Sequence, residues 1–270
     1  MKKFDNVLII SDIDGTLVDS KWELSRENTL AADYFIKNGG TFTYATGRQV
    51  PISRKIISQL YPTAPVICYN GAAIYDYSKE EYLWTHPLDE KILSVVDDII
   101  ENCPFVNVEI NASDYINVFK GSGPLSPRYE QLVPFFKVVD SVRDVPFPWF
   151  KVVLVTPDEY METLRNYVKS KPYYNDFQFC QSASFLFEIL EFGINKGSAL
   201  PHLLKHLNGI NKTIAIGDNE NDIELVTAAN VGFAVSDASP LLLKHCKLTT
   251  VSQKEHVLAD IVERLDNKLI

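Results

Sequence analysis

The chain has 270 residues, 46% of them hydrophobic, with 26 Lys and Arg against 35 Asp and Glu and a formal net charge of −9. That length allows one large domain or two modest ones, and that composition supports a buried core and excludes a disordered or low-complexity chain. The acidic balance argues against a nucleic-acid-binding surface and against an anionic-membrane binder, because both rest on clustered Lys and Arg.

The opening segment alternates strand and helix. Residues 7–10 form a continuous apolar run, as in a strand buried on both faces. That run is short and meets an acid at once, so it reads as a strand and not as a signal peptide. A helix is expected over 25–37, stopped by Gly39 and Gly40, then a strand over 41–44, a helix over 51–60 and a strand over 66–69. Strand, helix, strand, helix, strand predicts a parallel sheet. The middle changes character. A helix over 88–102, paired strands over 105–110 and 115–120, a Gly/Pro/Ser-rich break over 121–127, a strand over 150–155, a helix over 158–170 and strands over 177–180 and 185–190 suggest a separate α+β unit. The β/α rhythm returns with a helix over 196–207, a strand over 213–216, a helix over 220–229, a strand over 231–235 and helices over 240–245 and 254–265. The expected divisions are a core in two parts, residues 1–83 and 191–270, around an insert at 84–190. Cys68, Cys103, Cys180 and Cys246 lie far apart with no CxxC, which points to isolated thiols in a reducing cytosol and not to disulfides or a zinc site. No stretch approaches the ~20 apolar residues of a membrane span.

Four phrases carry candidate chemistry. Ser11-Asp12-Ile13-Asp14-Gly15-Thr16 follows the first strand and places two carboxylates at the mouth of a parallel sheet, where open α/β folds bind ligands. A plain capped turn would explain it alone. Ala45-Thr46-Gly47-Arg48 ends the second strand, where a hydroxyl and free backbone N–H groups suit phosphate oxygens. Asn195-Lys196-Gly197 opens a helix after the insert; a lone Lys there would ordinarily be solvated. Gly217-Asp218-Asn219-Glu220-Asn221-Asp222 gathers oxygen-bearing side chains at another strand tip. A helix cap accounts for one acid of that set, and a hard-cation site, most naturally Mg²⁺, accounts for the density.

In order and context these phrases resemble the motifs of haloacid-dehalogenase-type phosphohydrolases, and the place of the insert resembles the larger cap of the Cof-type branch. Asn70-Gly71-Ala72 is a further phrase that branch favours. The resemblance implies an α/β fold, a Rossmann-like parallel-sheet core with an inserted α+β cap domain. It implies a Mg²⁺-dependent phosphatase acting on a small phosphorylated metabolite, a sugar phosphate by preference, through an aspartyl-phosphate. Asp12 would be the nucleophile and Asp14 the general acid, then base. Thr46, Gly47, Lys196 and Asn221 would hold the phosphoryl group. Asp12, Asp218 and the Asp14 main-chain carbonyl would hold Mg²⁺, with Asp222, Arg48 and Asn70 in support. The enzyme would be a cytoplasmic monomer or homodimer with a small phosphate ester as its partner. Departures from the branch are Ser236-Asp237-Ala238 in a loop the family keeps near the metal, Phe192 and Ile194 before Lys196, and Pro201 early in the Lys196 helix.

Two alternatives stand beside this reading. A phosphomutase uses the same aspartyl-phosphate but must grip a second phosphate; residues 84–190 carry nine Lys and Arg against fifteen Asp and Glu, which leans away from it, leaving Arg128 or Lys151 as its candidates. A silent binding module on the same fold is the other, since fold does not imply activity. Specificity is expected in the insert, in the 121–128 loop and around Trp149, while Tyr115, Phe119 and Trp149 read foremost as packing.

Overall fold

The structure, a computed structural model, describes residues 2–112, 115–122 and 129–270, except the side chain of Gln131. In chain order the elements are β1 (Val7–Ser11), α1 (Arg26–Lys37), β2 (Thr41–Tyr44), α2 (Val50–Ile57), β3 (Val66–Cys68), β4 (Ala73–Asp76) and β5 (Glu81–Thr85). Then come α3 (Ile92–Asn102), β6 (Asn107–Asn111), β7 (Ile116–Phe119), α4 (Tyr129–Leu132), β8 (Phe136–Val139), β9 (Lys151–Val155), α5 (Asp158–Lys169), β10 (Phe177–Ala183) and β11 (Leu186–Glu191). The chain closes with α6 (Lys196–Leu204), β12 (Lys212–Gly217), α7 (Ile223–Ala228), β13 (Val231–Ala234), α8 (Pro240–His245), β14 (Leu248–Thr249) and α9 (Val257–Asp266). These elements fall into two compact units, one of residues 1–48, 53–84 and 195–270, the other of residues 49–52 and 85–194.

The first unit is built on a five-stranded sheet in the order β14-β13-β12-β1-β2, all parallel. β1 lies inside it, and Leu8, Ile9 and Ile10 are fully buried, which explains the unbroken apolar run. Ser25 caps α1, its Oγ accepting from the Asn28 N–H. The expected third parallel strand is only half right. β3 touches β2 through a single parallel bridge, Ala45 to Ile67, and then turns back in an antiparallel sheet, β3-β4-β5. β4 and β5 are not among the elements expected from the sequence; each is only four or five residues long, too short for its alternation to stand out. Pro201 lies just past the first turn of α6, early in that helix as expected.

The second unit carries a six-stranded sheet in the order β10-β11-β9-β6-β7-β8. Helices α3 and α5 present Ile92, Val95, Val96 and Ile99, and Met161, Leu164 and Val168, to its core. That spacing is the apolar stripe of a helix on a sheet. Trp149 and Phe147 stack at 4.5 Å inside this unit and the Trp149 indole N–H donates to the Val145 carbonyl, so Trp149 is packing, as expected. Tyr115 is exposed and Phe119 half-buried against the same core. Residues 123–128, including Arg128 of the expected specificity loop, lie outside the described residues.

Asp98 on α3 is the polar clasp of this unit. It accepts from the Tyr173 hydroxyl at 2.8 Å, the Tyr167 hydroxyl at 3.0 Å and the Lys171 ammonium at 3.1 Å. Burial alone would raise its pKa, but these donors together hold it below the ordinary value. A depressed carboxyl adds stability above its unfolded pKa of ~3.9 and loses it as pH falls through the folded value. Asp98→Asn is therefore expected to cost about 1–3 kcal/mol at pH 7. In denaturant titrations that deficit should shrink as pH drops below ~4; a deficit unchanged by pH would refute the assignment.

The four cysteines are free and, apart from half-buried Cys180, buried. Among the described residues no helix is long and apolar enough to cross a membrane.

Candidate active site

The sheet register brings the motif residues together. Ser11 at the end of β1 pairs with Ile216 of β12 on one side and with Tyr44 of β2 on the other. The three strand tips thus end side by side; Asp12 and Asp218 follow theirs directly, and Thr46 comes one residue beyond the end of β2. The Asp12 N–H continues the ladder to the Ile216 carbonyl at 2.9 Å, and the Thr46 N–H donates to the Ile67 carbonyl at 2.8 Å.

Lys196, the first residue of α6, is fully buried and spans two acids. Its Nζ lies 2.5 Å from Asp12 Oδ1 and 2.6 Å from Asp222 Oδ1. The helix start that aims it is a capping box in which Asn195 and Ser198 satisfy each other's backbone N–H groups. Gly71, at φ 105°, lets that start approach: a Cβ there would lie 2.1 Å from the Asn195 carbonyl oxygen. Gly15, at φ 76°, does the same for Asp218, whose Oδ2 would lie 2.4 Å from an added Cβ.

Asp222 has both oxygens engaged. Oδ1 takes Lys196 and Oδ2 accepts the N–H groups of Asp218 at 3.0 Å and Asn219 at 3.2 Å. It braces the loop that presents Asp218. Asn70, at φ 53°, accepts from Asn221 Nδ2 at 3.0 Å, while Asn221 Oδ1 is buried without a partner. Thr46 Oγ1 accepts the Arg48 N–H at 3.0 Å and keeps its own O–H for another acceptor. Gly47 packs against the Asn70 amide, 3.0 Å from an added Cβ. Arg48 forms a forked pair with Asp14. Asp237, by contrast, is exposed. Thr16 is fully buried, with Oγ1 3.4 Å from Asp218 Oδ1; it stood in the first phrase but drew no role from sequence.

Ligand oxygens of Asp12, Asp218 and Asp222 all lie within 4.8 Å of one another. Burial pushes the Asp12 carboxyl up to about 7, against the pull of Lys196 and with the push of Asp222 and Asp14. Burial also pushes Asp218 well above the carboxylate range. Burial would lower Lys196, yet the charges of Asp12 and Asp222 outweigh that and hold it above its ordinary value. Three carboxylates around one ammonium lack two positive charges. A divalent hard cation supplies that number and returns raised carboxyls to their ionised form. The all-oxygen donors and the unpartnered Asn221 Oδ1 fit such an ion.

A family model described as haloacid dehalogenase-like hydrolase matches residues 9–262. The chain belongs to that family. It is a hydrolase of the phosphatase type. The HMP-PP phosphatase of Serratia proteamaculans is 27% identical, over 86% of this chain and 84% of its own. The 5-amino-6-(5-phospho-D-ribitylamino)uracil phosphatase YitU of Bacillus subtilis is 25% identical, over 93% of this chain and 94% of its own. A haloacid dehalogenase-like hydrolase of Bacteroides thetaiotaomicron has the same fold, with a TM-score of 0.81 over 97% of this chain and 99% of that one at 21% identity.

Proposed function

We propose that this hydrolase releases phosphate from a small phosphorylated metabolite, with sugar phosphates as the preferred class, through an aspartyl-phosphate on Asp12. The observation that carries the reading is the convergence of the Asp12, Asp218 and Asp222 carboxylates, with Lys196 bridging Asp12 and Asp222. An Asp12 oxygen attacks phosphorus while the ester P–O bond breaks, and Asp14 gives a proton to the leaving oxygen. Asp14, now a carboxylate, takes a proton from water, whose oxygen attacks the same phosphorus. Inorganic phosphate leaves and Asp12 is restored. Lys196, the Thr46 hydroxyl and the Gly47 backbone hold the phosphoryl oxygens and offset their charge. Asn221 spends one amide hydrogen on Asn70 and has a second to offer a phosphate oxygen, while its unpartnered oxygen suits the cation's surroundings. Mg²⁺, held by Asp12, Asp218 and the Asp14 main-chain carbonyl, would supply Lewis-acid charge to the same oxygens. Asp222 and Asn70 keep the loops in place, and the second unit serves as the cap in a cytoplasmic monomer or homodimer.

Lys151, one cation a phosphomutase could use on a second phosphate, is buried and paired to Glu188 at 2.6 Å inside the second unit. That commitment supports hydrolysis over relocation.

Phosphate release across a panel of phosphorylated metabolites, with a ribityl phosphomonoester on it, tests the reading. Turnover is expected with Mg²⁺ and is expected to vanish with EDTA. Mg²⁺ at about 100 times its Kd should also stabilise the fold by about 2.7 kcal/mol. Turnover indifferent to EDTA, or no Mg²⁺-dependent rise in Tm, would overturn the metal assignment.

A further inference from the structure

Helices α3 and α5 cover one face of the six-stranded sheet in the second unit, where Val108, Ile110, Val152 and Leu154 join their core. The opposite face carries polar side chains that are just as buried. Residues directly opposite one another in a ladder share a face. Asn111 of β6 pairs with Lys151 of β9, and Val153 of β9 stands between Glu109 of β6 and Glu188 of β11. Asn111, Lys151 and Glu188 are 3%, 4% and 2% exposed. None of them takes part in the proposed phosphoryl transfer.

The donors and acceptors of this cluster do not balance. Glu188 accepts from Lys151 Nζ at 2.6 Å through Oε2 and from the Ser182 hydroxyl through Oε1. An ammonium has three N–H groups, and Lys151 spends one of them among the described residues. A side-chain amide has two, and the buried Asn111 Nδ2 spends neither there. Adjacent strands thus hold an ammonium and an amide side by side, enclosed and short of acceptors. Enclosed N–H groups are costly unless an oxygen meets them. The ion pair is no sufficient reason for the cluster either, because desolvation offsets the attraction within a buried pair.

We propose that Asn111 and Lys151 are specificity residues that donate to uncharged oxygens, hydroxyl or carbonyl, of the ester's leaving group, and that Glu188 bars a second phosphate from the same place. This rests on the reading of the second unit as the cap of a phosphatase. Glu188 offsets the Lys151 charge yet leaves that ammonium N–H groups to give. Glu109, 1% exposed, puts a second carboxyl on the same face. A neutral oxygen gains from such donors, whereas a second phosphate would meet two carboxyls, a like-charge encounter that rejects it. Donors on strands are held more precisely than donors on loops, so their spacing can discriminate one hydroxylated chain from another. The cluster only binds; no covalent step involves it.

The test measures kcat/KM under Mg²⁺ on ribitol phosphate, on pentyl phosphate, which has the same chain without hydroxyls, and on ribitol phosphorylated at both ends. The wild type should prefer ribitol phosphate to pentyl phosphate by about 10²-fold or more, because a site built to hydrogen-bond hydroxyls rejects the analogue that lacks them. Asn111→Leu, close in volume, and Lys151→Met/Glu188→Gln, which removes both charges together, should each narrow that ratio about tenfold. Glu188→Gln alone uncovers the Lys151 charge and should raise kcat/KM on the doubly phosphorylated ester about tenfold. Donors that serve only the fold would cost the two monoesters equally in every variant, and that result overturns the proposal. A wild type that turns over both monoesters alike also overturns it and leaves the hydrolase reading standing. No turnover of either monoester or of p-nitrophenyl phosphate sinks that reading and the proposal with it. Asn111→Leu leaves the ion pair in place, so it decides the outcome where a charge variant unfolds.

Discussion

Asp12→Asn is expected to lower kcat by about 10⁴-fold or more on every phosphate ester, since the proposed acyl phosphate forms on the Asp12 carboxylate. Residual activity would come only from binding and charge stabilisation. The same change should leave the metal-free protein no less stable than wild type. Asp12 is buried beside two other carboxylates and its pKa is raised to about 7. A raised carboxyl is a liability: the unfolded chain ionises near ~3.9, so the native state loses stability as pH rises from there toward 7. An amide at this position removes that slope. The substitution should also weaken the rise in Tm on adding Mg²⁺, because one ligand has lost its charge. Steady-state kinetics and thermal scans with and without Mg²⁺ read all three effects. Turnover above about one hundredth of wild type would contradict a nucleophilic Asp12.

Lys196→Met is the second large effect, and its direction in stability is opposite. Methionine nearly matches the stem but leaves Asp12 and Asp222 buried without their shared cation. Breaking a buried pair from one side costs about 3–5 kcal/mol. Since Asp222 also holds the N–H groups of Asp218 and Asn219, the loss should reach the metal loop as well. Lowering the pH should restore part of the stability by protonating the stranded Asp12 carboxyl. Turnover should fall by about 10²–10³-fold, the size of losing one preorganised donor to a developing charge. Arginine should not rescue it, because Lys196 is fully enclosed and a larger planar head overpacks the space. Equilibrium unfolding and kcat measured on Lys196→Met decide the matter; an unchanged Tm with turnover within tenfold of wild type would refute the role given to this lysine.

The local rhythm of the chain was enough to place β1, β2 and β12 and the phrases that follow them. Strands buried on both faces are continuous apolar runs, and loops at their tips must change composition abruptly to meet water or ligand. The family and the four candidate phrases were legible for that reason. Local pattern failed where neighbours decide. Strands β4 and β5 are only four and five residues long, too short for their alternation to stand out, and the sheet beyond β3 is antiparallel because β4 pairs with it. The roles within the site were less legible still. Nothing at positions 22 and 48 announces that a tryptophan backs an arginine that grips Asp14, because the contact joins two loops whose meeting depends on α2 and Gln59. Likewise, sequence alone placed Lys196 at a helix start but could not tell a solvated lysine from one fully buried between two acids. Composition and periodicity are properties of short segments, and they determined the fold class and the candidate groups. Which of those groups share one charge balance depends on distances such as that between Asp12 and Lys196, 184 residues apart in the chain, and only the register of the parallel sheet sets those.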